Sequence, residues 1–246
     1  DQEAAWYIDT SGAPLFKRGW RKAAGEAPIR ENLAAAILEL SGWTPEQVLL
    51  DPMCGAGTFL IEAGLKGKHI PPGHGRNFAF TVLSNFNRKI WGQIRQAAEQ
   101  VTVPGLSLSL YGYDQNLQAL DMARVNSRGL GFSEIHWQQA DAFDVEPPAP
   151  RGIMVTNPPY GVRMGDHHEL EEWYPKFGNM LKQRFAGWNV YIFTADLRVP
   201  KLIRLAPSRR IPLYNGPLES RVYEFRMVTG GNRKKSRLAG RPGKDP

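Results

Sequence analysis

The sequence predicts an α/β chain organised on a mostly parallel sheet, and three observations carry that expectation. Short apolar runs alternate with stretches of helical periodicity from residue 28 to residue 194. Four of the apolar runs lead into a carboxylate or an amide, the place where an open parallel sheet meets its ligands. The last two runs flank Asn215-Gly216-Pro217, a turn signal that makes them an antiparallel hairpin.

Taken in order, residues 6–9 and 15–17 read as two short strands joined by a turn at Ser11-Gly12-Ala13-Pro14. Pro28 opens a helix whose apolar face is Ile29, Leu33, Ala36, Ile37 and Leu40, and Ser41-Gly42 stops it. Residues 47–51 form the first sheet strand, and a glycine loop from Pro52 to Thr58 leads into a helix over 59–65. Pro71-Pro72-Gly73 breaks the pattern before a helix over 85–100. The second strand covers 108–114. A helix over 117–129 follows, with Leu117, Leu120, Met122 and Ala123 on one side. The third strand lies at 135–137, and the fourth, Ile153-Met154-Val155, runs out at Asn157. A helix over 170–184, a fifth strand over 188–194 and closing strands over 210–214 and 221–227 complete the order. Such alternation buries a parallel sheet under helices on both faces. The chain divides into an N-terminal extension (1–25), one α/β domain (26–229) and a basic tail (230–246). The tail has few apolar residues and reads as disordered.

Composition narrows the function. No apolar run approaches the roughly 18 residues that span a bilayer, so no membrane partner is expected. The single cysteine, Cys54, excludes an internal disulfide and a cysteine zinc cluster, and a reducing, cytoplasmic setting fits. The five histidines show no metal-ligand spacing, so no metal is expected. The net charge of +7 points to a polyanionic partner. Residues 230–246 hold +5 of it, so the body is only mildly basic and any strong field comes from the tail or from local patches. One such patch is Lys17, Arg18, Arg21 and Lys22, a candidate RNA-phosphate contact; Arg163 is another candidate. Trp6, Trp20 and Trp91 read as packing residues.

The chemistry centres on Thr156-Asn157-Pro158-Pro159-Tyr160-Gly161. Two consecutive prolines stiffen the chain after Asn157 into an extended loop. The Asn157 side-chain oxygen and the Pro158 carbonyl can each accept a hydrogen from one NH2 group, and Tyr160 can stack on a planar base. Two acceptors on one exocyclic amine hold its nitrogen and favour a free lone pair.

The other strand ends suit a cofactor. Asp51, Pro52, Cys54, Gly55, Gly57 and Thr58 place glycines where side chains would block a ligand from the backbone and from a helix N-terminus. The loop lacks the third glycine of a dinucleotide fingerprint and the Gly-Lys-Ser/Thr of a P-loop. Its leading acid, Asp51, favours a cation or amine over a pyrophosphate, which suits S-adenosylmethionine better than NAD or ATP. Asp114, with Gln115 beside it, can take both hydroxyls of a ribose. Asp141 can accept from an adenine amine while the Ala142 N–H donates. An Asp after a strand is commonly a turn former. The ordered set of four strand ends is what points to a cofactor. Cys54 reads as a small apolar loop residue, not a nucleophile.

At this point the sequence resembles the amino-methylating Rossmann-like methyltransferases, and more narrowly the bacterial 23S rRNA guanine-N2 methyltransferases of the RlmL type. The matching stretches are Leu15-Phe16-Lys17-Arg18-Gly19-Trp20-Arg21, Ala27 to Ala35, Asp51 to Thr58, Thr156 to Gly161 and Asn215-Gly216-Pro217-Leu218-Glu219. The glycine loop and Asn-Pro-Pro-Tyr are shared with DNA adenine methyltransferases. The resemblance implies a class I fold, a mostly parallel seven-stranded sheet with a terminal antiparallel hairpin. It implies S-adenosylmethionine at Asp51 to Thr58, Asp114 and Asp141, and a guanine at Asn157, Pro158 and Tyr160. It also implies ribosomal RNA as substrate and an RNA-binding THUMP domain ahead of this one in the full-length chain. Val162 and Ser220 depart from the usual family residues. The rival functions are DNA adenine-N6 methylation and a non-catalytic RNA-binding assembly factor.

Overall fold

The computed structural model describes residues 3–25, 28–158 and 167–228. Seven strands form one sheet: β1 Leu49–Asp51, β2 Leu110–Asp114, β3 Ile135–Gln139, β4 Ile153–Thr156, β5 Asn189–Thr194, β6 Arg209–Asn215 and β7 Leu218–Arg226. Their spatial order is β3-β2-β1-β4-β5-β7-β6. The first five run parallel; β7 pairs antiparallel with β5 and with β6. This is the mostly parallel seven-stranded sheet with a terminal hairpin that the sequence predicts.

The helices are α1 Glu31–Ser41, α2 Thr58–Gly67, α3 Arg88–Gln100, α4 Leu117–Ser127, α5 His167–Arg184 and α6 Val199–Leu202. They cover both faces because β1, β4 and β5 are apolar on both sides: Leu49, Leu50, Ile153, Met154, Val190 and Ile192 are all fully or nearly fully buried. One core lies under α1, α2 and α4, around Ile37, Leu60 and Leu120. The other lies under α5 and α6, around Tyr174, Phe177 and Trp188.

Several boundaries differ from the sequence reading, each for a local reason. Residues 6–9 and 15–17 form no strand. A strand needs a ladder partner, and this segment is instead held by side-chain and isolated bonds. Arg76 donates to the carbonyls of Ser11, Ala13, Pro14 and Lys17, and Phe80 N–H donates to Thr10 O at 2.9 Å. Trp6, expected to pack, is 94% exposed, whereas Trp20 is buried and Trp91 lies edge-on to Phe78 and Phe80. Helix α1 starts at Glu31 rather than Pro28, because the Ile29 carbonyl is taken by Arg21 and Arg30 is extended. Helix α3 starts at Arg88 because Asn87 caps it, its side chain accepting from Ile90 N at 3.0 Å. On α4 the core side is Ala119, Leu120, Ala123 and Asn126; Leu117 is half exposed in the first turn.

Helix α5 crosses α6 at Gly178. A Cβ there would lie 2.2 Å from the backbone oxygen of Ile203. Gly178→Ala should therefore destabilise the fold. Overpacking against backbone costs about 1–3 kcal/mol and outweighs a helix-propensity gain of about 1 kcal/mol at most. Urea unfolding measures it; an unchanged or raised midpoint would mean that α6 yields freely.

Candidate functional site

The carboxyl ends of β1, β2, β3 and β4 open into one cavity of about 630 Å³, a size suited to a nucleoside-sized ligand. Its lining brings together Asp51, Pro52, Cys54, Gly55, Thr58, Asp114, Gln115, Asp141, Ala142 and Asn157, all ten singled out from the sequence. Gly57, also singled out from the sequence, does not line the cavity; a Cβ there would meet Trp137 and Ala123, so its small size serves packing rather than ligand access. Pro158 is buried next to Asn157. Pro159, Tyr160, Gly161 and Arg163 lie outside the described residues, as does the basic tail.

Each side chain is placed by its strand. Asp51 ends β1, and its Oδ1 accepts from Met53 N at 3.1 Å. It is 2% exposed. Burial pushes its carboxyl up to about 7 and nearby Asp114 adds to that. The Met53 N–H and the neighbouring Thr156 hydroxyl pull it back, although that hydroxyl makes no hydrogen bond of full geometry among the described residues. Asp114 ends β2. Its Oδ2 accepts from Gly55 N and its Oδ1 from Asn116 N, both at 2.9 Å. Each oxygen keeps a lone pair for a ligand hydroxyl. Asp141 follows β3, is exposed, and accepts from Phe143 N at 2.9 Å.

The glycine loop is built for close approach. Gly55 and Gly57 have φ of +53° and +83°, and a Cβ on Gly55 would point into open space. Gly57 precedes α2 without a side-chain cap and no acid lies in the first turn, so the helix N-terminus is free to face a ligand. Cys54 is buried, and burial raises its thiol well above the usual range, with Asp51 and Asp114 adding to the shift. A thiol in that state is no nucleophile. Asn157 lies at the end of β4, and its Oδ1 is buried with no hydrogen-bond partner among the described residues. A buried orphan acceptor is costly unless a donor arrives.

The basic run is divided by the structure. Lys17 is exposed. Arg18 lies 3.6 Å from the Glu62 carboxylate, and Arg21 pairs with Glu31 at 2.9 Å. Both guanidiniums are mostly buried against these carboxylates, while Lys22, like Lys17, is exposed. Trp20 Nε1 donates to Glu62 at 2.9 Å, and burial holds that carboxyl up near 7 against the pull of Trp20 and Arg18.

Sequence reasoning missed several walls of the cavity. Phe143 and Asn116 each stand two residues from a predicted acid and were within reach of a local reading. Trp173, which packs against Phe143 at 5.6 Å, and Gly25, Pro28 and Ile29 arrive by tertiary packing and carry no local signal.

Comparison with known proteins follows the same lines. A family model described as RMKL-like, methyltransferase domain, matches residues 18–224. A ribosomal RNA large subunit methyltransferase K/L from Shewanella sp. is 38% identical over 233 residues, 92% of this chain and 33% of its own length. A Synechocystis protein named for RNA methyltransferase activity is 38% identical over 89% of this chain and 58% of its own length. A solved chain described as a methyltransferase complexed with SAH is 34% identical, with a TM-score of 0.82 over 89% of this chain and 57% of that one. A predicted N6-adenine-specific DNA methylase from Listeria monocytogenes is 32% identical, with a TM-score of 0.80 over 89% of this chain and 56% of that one. The chain thus spans between about a third and three-fifths of the length of the curated relatives it matches.

The raised carboxyls make stability depend on pH. A carboxyl near 7 in the fold but near 4 in the unfolded chain binds more protons when folded, so stability falls as pH rises between about 4 and 7. The melting temperature should be lower at pH 8 than at pH 5.5. Asp51→Asn should shrink that difference; Glu62 supplies part of what remains. A difference as large in Asp51→Asn as in the parent would show that Asp51 ionises normally.

Proposed function

The chain belongs to the RMKL-like methyltransferase domain family, and we propose that it methylates the exocyclic N2 amine of a guanine in 23S ribosomal RNA with S-adenosylmethionine. The observation that carries this reading is the buried Asn157 oxygen, without a partner among the described residues, in the lining of a cavity that also holds a buried acid and an open glycine loop. A donor amine satisfies the first, and a ligand bearing a cation and a flat nucleoside satisfies the second.

The residues present fit the cofactor. Asp51 takes a positive group, and the open face of Gly55 admits a ligand backbone. Asp114 holds hydroxyls, and Asp141 with Ala142 reads an adenine edge between α4 and Phe143. When bound, S-adenosylmethionine supplies an electrophilic methyl on a sulfonium.

The chain's own part is to position the nucleophile. A guanine amine is a poor nucleophile because its lone pair is delocalised into the ring. Asn157 Oδ1 and the Pro158 carbonyl accept its two hydrogens, fix the nitrogen and favour the geometry in which the lone pair is free. No strong base is required, because the nitrogen becomes acidic once the new N–C bond forms, and its proton leaves to solvent. The base leaves its own stack to reach the cavity, and Tyr160, beyond the described residues, is the candidate stacking surface.

The ribosomal substrate is favoured by the names of the Shewanella relatives. The Listeria structure carries a DNA-adenine name, and the same loop would hold an adenine N6 amine. Nucleoside mass spectrometry after reaction with undermethylated ribosomal RNA and with DNA separates the two. N2-methylguanine from RNA is expected; N6-methyladenine from DNA would replace the guanine reading. The single cysteine and the absence of a helix apolar enough to cross a membrane among the described residues accord with a cytoplasmic enzyme.

Asn157→Ala should slow single-turnover transfer by about 10²–10³ while cofactor affinity stays near that of the parent. Asn157→Asp, which still accepts, should lose less. An Ala variant within a fewfold of the parent rate would refute the positioning mechanism.

A further inference from the structure

Before α1 begins, residues 18–25 form a strap without regular secondary structure that packs on α2 and α4, and its last residue, Gly25, lines the cavity together with Pro28 and Ile29. One side chain ties this strap to the glycine loop. Asn126, near the end of α4, is fully buried. Its Oδ1 accepts from Lys22 N at 2.8 Å and Ala23 N at 2.9 Å. Its Nδ2 donates to Ala23 O at 2.8 Å and to Ala56 O at 3.2 Å. Three of these partners belong to the strap; the fourth belongs to the glycine loop.

Burying an amide on the core side of a helix is expensive unless every polar atom is used. Here both hydrogens and both lone pairs are used, and they are spent on two loops rather than on the helix. Ala56 sits between Gly55 and Gly57, both at positive φ. Backbone freedom in the glycine loop is therefore greatest on either side of the one carbonyl that Asn126 grips. Arg21 anchors the strap on its other flank, donating to Thr58 Oγ1 at 3.1 Å and to Ile29 O at 3.0 Å.

We propose that Asn126 is a positioning residue for the cofactor: it sets the spacing between the strap and the glycine loop, so that the strap forms a fixed wall over the ligand. The proposal rests on the methyltransferase reading above. It makes strap docking and cofactor binding one coupled equilibrium. A ligand held between strap and loop suppresses the openings that release the strap, and loss of the Asn126 grip weakens the ligand.

The test uses S-adenosylhomocysteine as probe. Its affinity is measured by calorimetry for the parent, for Asn126→Ala, and for Phe185→Leu, a core change away from the cavity. Melting temperatures are recorded alongside. Leaving buried strap and loop groups unsatisfied should weaken binding about tenfold or more in Asn126→Ala. Phe185→Leu should lower the melting temperature and leave affinity unchanged. Hydrogen exchange on the parent supplies a second measurement that needs no variant: the probe should slow exchange of the Lys22 and Ala23 amides. Affinity within twofold of the parent in Asn126→Ala, an equal loss in Phe185→Leu, or strap amides indifferent to the probe would each overturn the coupling. A parent that does not bind the probe at all overturns the methyltransferase reading itself, and this proposal with it.

Discussion

Backbone pairing places β1 between β2 and β4, with Asp51 beside Gly112 on one side and Leu50 beside Met154 on the other. The sheet order reverses at this point: successive strands step outward one way through β2 and β3 and the other way through β4 and β5. Crossover helices on the two sides then leave opposite faces, and a crevice opens above the strand ends. The glycine loop after β1, Asp114 after β2 and Asn157 after β4 meet in that crevice because they have no other place to be. The bond from Gly55 N to Asp114 Oδ2 follows from it, since the carboxylate of one strand lies against the loop of the next. A change in strand order, with all side chains kept, would scatter the site.

The N-terminal segment extends the same constraint. Glu31 and Glu62 are buried on α1 and α2 and would be costly alone. Arg18, Trp20 and Arg21 arrive from the strap to satisfy them. Truncating any one of these partners would leave a buried polar group short of a partner, whereas replacing the whole set with apolar residues would be far cheaper. Such a network therefore adds little net stability and fixes where the strap lies. That choice matters because the strap leads into a wall of the cavity, and it explains why two cations of a run that looks like a surface patch, Arg18 and Arg21, turn inward while Lys17 and Lys22 stay exposed.

The sheet, its order of elements and the strand-end acids were legible because they are written in local periodicity. A buried parallel strand is a short apolar run, and the residue after it faces the ligand side whatever the rest of the fold does. The strap was not legible. Residues 15–22 read as a strand and a basic face, because nothing in that stretch announces carboxylates contributed by Glu31 and Glu62 from helices elsewhere. Asn126 was hidden for the same reason. It sits at a core position of α4 where sequence periodicity asks for an apolar residue, and its partners lie more than a hundred residues away for the strap and 70 for Ala56. Asn157 was found because two prolines mark its loop. Trp173, on the long helix α5, has no such marker.

Asp51 and Asn157 share one physical logic. Each is a polar group that the fold has removed from water without full compensation: the acid lies near 7 in place of its usual range, and the amide oxygen has no partner among the described residues. Both costs are met during folding by the sheet and its two cores. A ligand with a positive centre then finds a carboxyl that gains by ionising beside it, and an amine finds an acceptor that no described residue already occupies. Neither group has to reorganise when the reaction begins, which is the condition under which electrostatic preorganisation acts on the transition state rather than on the ground state. The two groups also discriminate. A neutral cofactor analogue would not draw Asp51 toward its ionised form and would gain little from it, and a base presenting a ring acceptor in place of an amine would face Asn157 oxygen to lone pair. Under the proposed function, selectivity for a cationic methyl donor and for an amino nucleophile would rest on these two polar groups at the ends of β1 and β4.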